Sequence, residues 1–184
     1  MAGREAPDAP EFVGALISSG PCEGLADEMH LFGQFVGSWC LKWIDRGSKN
    51  DPEPILGELH FGWVLGGRAV QDVWIVPARD QGRGPGPRIG FFGSTIRFYD
   101  PSLDAWQSTW IEPFKGRVRR FIGRHDEDDI VLVSDDDEPY LRWRFTEIGV
   151  SSFVWLGETS TDRGATWELE EEMRATRVKG AASA

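Results

Sequence analysis

From Gly37 almost to its C-terminus, the chain alternates apolar and polar residues in short segments ended by turn-forming residues. Successive side chains of a strand point to opposite faces, so a period of two marks strands with one buried face. The segments fall near 38–45, 55–65, 68–77, 88–99, 104–112, 116–123, 130–134, 139–147, 152–159 and 166–178. The breaks are turn chemistry: Gly47-Ser48-Lys49-Asn50-Asp51-Pro52, Gly66-Gly67, the Gly/Pro-rich run 81–87, Asp100-Pro101, the acidic run 135–139, and Asp162-Arg163-Gly164. Connections this short pair sequence neighbours antiparallel. About ten meandering strands without an interior helix predict closure, because an open sheet that wide leaves edges to manage. The expected fold is all-β, a single up-and-down antiparallel barrel of about ten strands.

Helical periodicity is confined to residues 11–36. Phe12, Leu16 and Ile17 suggest one short helix, and Leu25, Met29, Phe32, Phe35 and Val36 a second, with Gly20-Pro21 between them. Lying before the first strand, these predict a plug for one end of the barrel. The expected organisation is a loose tail over 1–10, one barrel domain over 11–178 and a second tail over 179–184.

Nine tryptophans stand mostly in the strand segments: Trp39, Trp43, Trp63, Trp74, Trp106, Trp110, Trp143, Trp155 and Trp167. Trp39 shares a face with Trp43, and Trp106 with Trp110. Each indole can bury roughly 150–250 Å² and still present an N–H to a polar partner, which suits the wall of an internal pocket.

Composition narrows the function classes. A net charge of −10 makes nucleic acid and anionic membranes poor partners. No apolar run approaches the roughly 20 residues of a membrane span, and the N-terminus lacks a signal-peptide core. Cys22 and Cys40 make no disulfide framework, and Cys40 is expected as a buried thiol, so the compartment reading is a reducing cytoplasm. Three histidines and two cysteines give no zinc spacing, and the acidic turns lack the calcium-loop pattern, so no metal is expected. The run Gly82-Arg83-Gly84-Pro85-Gly86 leads into a strand rather than a helix; it reads as a flexible loop placed to serve as a lid at the barrel mouth, and not as a dinucleotide motif. A homodimer is left open.

Two hairpins set the candidate site. Centring the first turn on Gly66-Gly67 pairs Trp63 with Val70 and Phe61 with Asp72. One face then carries Phe61, Trp63, Val70, Asp72 and Trp74, the other Glu58, His60, Val64, Gln71, Val73 and Ile75; either could face inward. Asp72 inside would be an acid/base group, a ligand anchor or a structural acceptor, and a one-residue bulge would bring in His60 instead. In the second hairpin Tyr99 opposes Trp106, Arg97 opposes Ser108 and Thr95 opposes Trp110. A guanidinium and a phenol on an aromatic wall suit a small-molecule site, with Arg97 receiving a carboxylate or enolate. The alternative turns Arg97 outward and Ile96 and Phe98 inward. In the last strand the alternation places Trp167, Leu169, Glu171, Met173, Ala175 and Arg177 on one face, and solvates Glu168, Glu170, Glu172, Arg174 and Thr176. Glu171 then enters the barrel, as an internal acid/base or as half of a salt bridge. Leu141, Trp143 and Phe145 share an inward face, as do Phe153 and Trp155, with Arg142 and Arg144 outside. The candidate catalytic residues are therefore Glu171, Asp72 and His60; the candidate ligand-binding residues are Arg97, Tyr99, Trp63, Trp74, Trp106, Trp110, Trp143 and Trp155.

Phe35-Val36-Gly37-Ser38-Trp39 carries the Gly-x-Trp that opens the first strand of lipocalin-like and fatty-acid-binding-protein-like barrels. The segment Gly66–Trp74, then Tyr99-Asp100-Pro101 with Asp104-Ala105-Trp106 and Trp110, and Asp162–Trp167 before Glu171-Glu172-Met173-Arg174, resemble a bacterial lipocalin-like family of unassigned function, DUF1579-like. The likeness spans roughly residues 31–178. It implies a calycin-type barrel around a small-molecule pocket and carries no settled chemistry. In lipocalin-like barrels a late-strand arginine packs on the Gly-x-Trp indole, which makes Arg177 the equivalent for Trp39. A related haem-binding barrel family, nitrobindin, is glycine-rich after its Gly-x-Trp; here Cys40-Leu41-Lys42-Trp43 follows. Haem also needs an axial ligand, usually His, and only His60 lies on a strand, so no cofactor is expected.

Three functions fit: binding of a small hydrophobic or aromatic molecule in a Trp-lined cavity; a cofactor-independent isomerase, cyclase, hydratase or lyase using the same cavity; or a structural or dimerisation domain with a filled barrel.

Overall fold

The computed structural model describes residues 9–47, 53–81, 90–134 and 139–179. Helix α1 (Ala9–Leu16) and a two-residue strand β1 (Ile17–Ser18) precede a 3-10 turn (Glu23–Leu25) and helix α2 (Ala26–Gly33). The strands follow: β2 (Gly37–Asp45), β3 (Ile55–Val64), β4 (Ala69–Val76), β5 (Phe91–Asp100), β6 (Ala105–Glu112), β7 (Arg117–Asp126), β8 (Asp129–Ser134), β9 (Tyr140–Thr146), β10 (Ser152–Ser160) and β11 (Glu168–Arg177). Each of β2 to β11 pairs antiparallel with its sequence neighbours, and β11 returns to β2, so ten strands close into a barrel. Strand β1 hangs on the end of β3. The tail residues 1–8 and 180–184, and the proposed lid at 82–87, lie outside the described residues, whereas Ala9 and Pro10 already belong to α1.

The hairpin registers match the sequence reading: Trp63 pairs with Val70, Phe61 with Asp72, Tyr99 with Trp106 and Arg97 with Ser108. The first turn is wider than the two residues expected, because the ladder stops at Val64↔Ala69 and Leu65, Gly66 and Gly67 all take positive φ. A Cβ on Gly67 would stand 2.3 Å from the Gly20 carbonyl oxygen, so this turn is fitted to the N-terminal segment.

Strand β5 is turned inside out. Its inward side chains include Thr95 and Arg97, both fully buried, while Phe92 and Phe98 are exposed on the outer wall. A one-residue slip would bury those rings and expose Arg97. The register is held instead by the ladders to β4 and β6.

Helix α2 closes one end. Met29 and Phe32 reach into the barrel, and Phe35 follows just past the helix. Phe32 packs on Trp106 and Phe145 (centroids 4.8 and 5.8 Å apart), and Phe35 on Phe61 and Phe153 (5.5 and 4.8 Å). Each such ring contributes about 2–3 kcal/mol through burial. The Gly-x-Trp reading holds at the seam: Arg177 stacks on Trp39 at 4.1 Å and donates to the carbonyls of Val36, Gln34 and Val150. Gly37 is required there, since a Cβ would meet the Arg177 guanidinium at 2.9 Å and its φ is +126°.

Three expectations change. Cys40 faces solvent on β2, because its neighbours Trp39 and Leu41 take the inward positions. A bulge at Glu170 shifts the β10–β11 register, so Gly157 opposes Glu171 but Glu158 opposes Leu169. The shift carries Leu169 and Trp167 outward; Leu169 is exposed and Arg142 stacks on the Trp167 ring at 4.3 Å. Glu172 is buried rather than solvated, held by Arg46 and Arg174, each 2.7 Å away.

Candidate functional site

The lumen has two tiers. Beneath the plug the tier is solid, packed with Met29, Phe32, Phe35, Phe61, Phe145 and Phe153. Toward the opposite end lies a cavity of about 240 Å³, walled by Trp74, Trp110, Trp143, Trp155, Phe91, Leu141 and Met173, with Arg117, Arg119, Pro139, Glu158, Glu170 and Glu171 also lining it.

Four indoles dominate this wall. Trp74 meets Trp155 at 5.0 Å and Trp110 at 5.6 Å; Trp143 meets Trp155 at 5.3 Å and Phe121 at 4.1 Å. Most cross edge-to-face, the arrangement favoured by the ring quadrupole. Glycines make the room. A Cβ on Gly93 would lie 2.5 Å from the Trp110 ring, and one on Gly157 would lie 2.7 Å from Trp155. The N–H groups of Trp74 and Trp155 are buried without a hydrogen-bond partner.

Glu171 stands at this cavity. Burial pushes its carboxyl up to about 7; the Trp43 indole and the charges of Arg117 and Lys115 pull down against that rise, and Glu170 adds to it. The Trp43 N–H makes no hydrogen bond of standard geometry. Other buried carboxylates are satisfied. Asp72 is paired with Arg97, and Glu112 accepts from the amides of Phe114 and Lys115 at 3.0 and 2.9 Å. Arg142 and Arg144 hold Glu158 at 2.7 and 3.1 Å; burial raises that carboxyl, but the two guanidiniums outweigh it and keep it below its ordinary range. Among the described residues Glu171 has no ion-pair partner, and it faces the cavity.

The remaining candidates lie elsewhere. Asp72 and Arg97 form an ion pair of zero exposure in the solid tier; Asp72 also accepts from the Thr95 amide at 2.9 Å. Phe32, Phe61 and Phe145 surround the guanidinium, 5.0–5.8 Å from ring centre to charge. His60 is on the outer face, between Ser38 at 3.0 Å and Glu58 at 3.1 Å. Glu58 itself is held down to about 2, chiefly by Arg79. Tyr99 sits at the plugged rim and donates to Asp104 at 2.7 Å. Trp106 is packed beneath α2, and Trp63 lies against Gly33 of that helix. Of the eleven candidates, the structure brings Glu171, Trp74, Trp110, Trp143 and Trp155 together at the cavity.

Sequence reasoning missed Arg117 and Arg119 as lining residues. Their signal was the alternation along β7, which puts Arg117, Arg119 and Phe121 on one face. Among the described residues no group of three or more His, Cys, Asp or Glu is placed to hold a metal, and no helix is long and apolar enough to cross a membrane. The histidines do not reach the cavity: His60 is outside, and His30 and His125 line a groove of about 680 Å³ beside the plug helix.

These features define a closed, ten-stranded antiparallel barrel with one filled and one hollow tier. No family model and no curated sequence matches the chain. Solved structures do. Rv2717c from M. tuberculosis superposes with a TM-score of 0.58 over 86% of this chain and 99% of that one, at 11% identity. The S-type phycobiliprotein lyase CPES from Guillardia theta gives 0.53 over 83% and 93%, at 12% identity. At such identities the likeness concerns the fold.

Proposed function

We propose that this protein binds a small hydrophobic or aromatic molecule in the hollow tier. The observation that carries the reading is the cavity itself: four tryptophans on one wall, two of them with buried, unpartnered N–H groups, beside an unpaired carboxyl. An apolar hollow with a few unmet polar groups is what a small-molecule site offers. Resemblance of Gly66–Trp74 and Asp162–Trp167 to the DUF1579-like lipocalin family supports the same reading. The unpaired Cys22 and Cys40 support a reducing compartment.

The test is titration with naphthalene, followed by intrinsic Trp fluorescence. Saturable quenching is expected in the wild type. Leu141→Trp, which fills the hollow, should abolish it while leaving the far-ultraviolet spectrum of the barrel. No saturable response, or one undiminished in the filled variant, would refute the reading.

A second reading is favoured by Glu171. A carboxyl that burial pushes up to about 7 beside an apolar hollow can take a proton from a substrate and return it. That supports a cofactor-independent isomerase, cyclase, hydratase or lyase on the same ligand. In that case Glu171→Gln keeps binding and loses turnover. Asp72 is committed to Arg97 and His60 lies outside, so neither supports that chemistry.

A further inference from the structure

Among the described residues, the buried polar groups left without partners lie mostly on two adjacent levels of the barrel. They are Arg97 Nε and Nη2, Thr95 Oγ1, Ser108 Oγ, and the indole N–H groups of Trp74 and Trp155, with Trp43 apart near Glu171. Arg97 and Ser108 are directly opposed across β5 and β6, and Thr95 is the next inward residue on β5. Trp74 and Trp110 follow Asp72 and Ser108 by two residues on their strands. The Arg97 level therefore lies one side-chain layer, about 7 Å, below the tryptophan wall.

Every one of these groups can donate, and the acidic group at that level is already engaged. Arg97 spends Nη1 on Asp72, which neutralises its charge. Its free edge is the Nε–Nη2 side, the fork that receives a carboxylate in two parallel hydrogen bonds. Three phenylalanine rings pin the guanidinium, so it cannot turn to another acceptor. Apart from the two hydroxyls, which can also accept, the cluster lacks an acceptor. An unmade hydrogen bond at a buried donor is costly, and a charged acceptor returns the most.

We propose that the ligand is a flat hydrophobic carboxylic acid that enters head first. Its carboxylate is received by the Nε–Nη2 edge of Arg97 and the hydroxyls of Ser108 and Thr95. Its apolar body lies among the indoles of Trp74, Trp110, Trp143 and Trp155; Arg97, Ser108 and Thr95 do not line the hollow of the empty barrel, so the indoles must shift aside for the head group to reach them. Arg117 and Arg119 line the hollow as well and offset the carboxylates of Glu158 and Glu170 along the way in. This rests on the cavity reading above and adds the chemical class and orientation of the ligand.

Three probes of similar shape test it: 2-naphthoate, 2-naphthalenemethanol and naphthalene, titrated by Trp fluorescence and calorimetry. The acid should bind at least ten-fold more tightly than the alcohol. Arg97→Lys keeps a cation opposite Asp72 but removes the fork; the preference should fall to within about two-fold, with naphthalene uptake as the check that the barrel stands. Should that variant fail to fold, Ser108→Ala should cost the acid several-fold more than the alcohol. Equal binding of acid and alcohol by the wild type overturns the proposal and leaves the cavity reading intact. A preference that survives Arg97→Lys but disappears in Arg117→Gln places the acid at the rim and also overturns it. Binding of none of the three overturns both.

Discussion

Replacing Glu171 by glutamine tests the account of the hollow tier through stability alone. Burial raises this carboxyl from 4.5 to about 7. A folded-state value above the unfolded one means that the native protein holds the proton more tightly. The penalty is absent below about pH 4.5, grows as pH rises toward 7, and is complete above that. The full rise corresponds to about 3 kcal/mol, at 1.36 kcal/mol for each tenfold change in proton affinity. Glutamine keeps the shape and cannot ionise. Wild type and variant should therefore be similarly stable near pH 4.5, and the variant should gain by up to about 3 kcal/mol by pH 8. For a chain of this size that is about 6–12 °C in Tm. Urea midpoints at closely spaced pH values, with equal slopes in both proteins, would measure the gap. Two curves that stay parallel from pH 4.5 to 8 would show that Glu171 is solvated or paired, and the description of the cavity would fail.

Three further outcomes follow from the packing. Gly93→Ala drives a methyl into the Trp110 ring and should cost about 1–3 kcal/mol, with a shift in Trp emission because the ring must move. Asp72→Ala leaves Arg97 charged and unpaired in the solid tier and should cost about 3–5 kcal/mol by denaturant unfolding, whereas Asp72→Leu combined with Arg97→Met should recover most of it. Arg177→Met removes the contact with Trp39 and the donors to Val36 and Gln34; about 2–4 kcal/mol of lost stability is expected, with faster amide exchange along β2 and β11.

The barrel was legible because its code is local. Turn residues and period-two alternation fixed ten strands, and pairing across Gly66-Gly67 and Asp100–Ala105 placed Asp72 and Arg97 opposite the right partners. The Arg177–Trp39 contact was legible through the family pattern. The inward face was not legible in β5, where apolar Ile96 and Phe98 stand against polar Thr95 and Arg97; only the pairing of Arg97 with Asp72 across two strands decides it. Nor was the bulge at Glu170, since nothing in a run of glutamates marks which one is skipped. The division of the lumen was out of reach for a different reason. Eight aromatic and charged candidates looked alike as inward residues, and their depth depends on where α2 stops and how far Phe32 and Phe35 reach. Tyr99, Trp106 and Trp63 fall on the plugged side for that reason alone.

The stopper formed by Met29, Phe32 and Phe35 makes this barrel a bottle rather than a pipe. On the binding reading, a guest lodged among the indoles would back out past the same residues it met on arrival. Loading and unloading then share one barrier, so a change at the neck would slow or hasten both together and leave the equilibrium occupancy where it was.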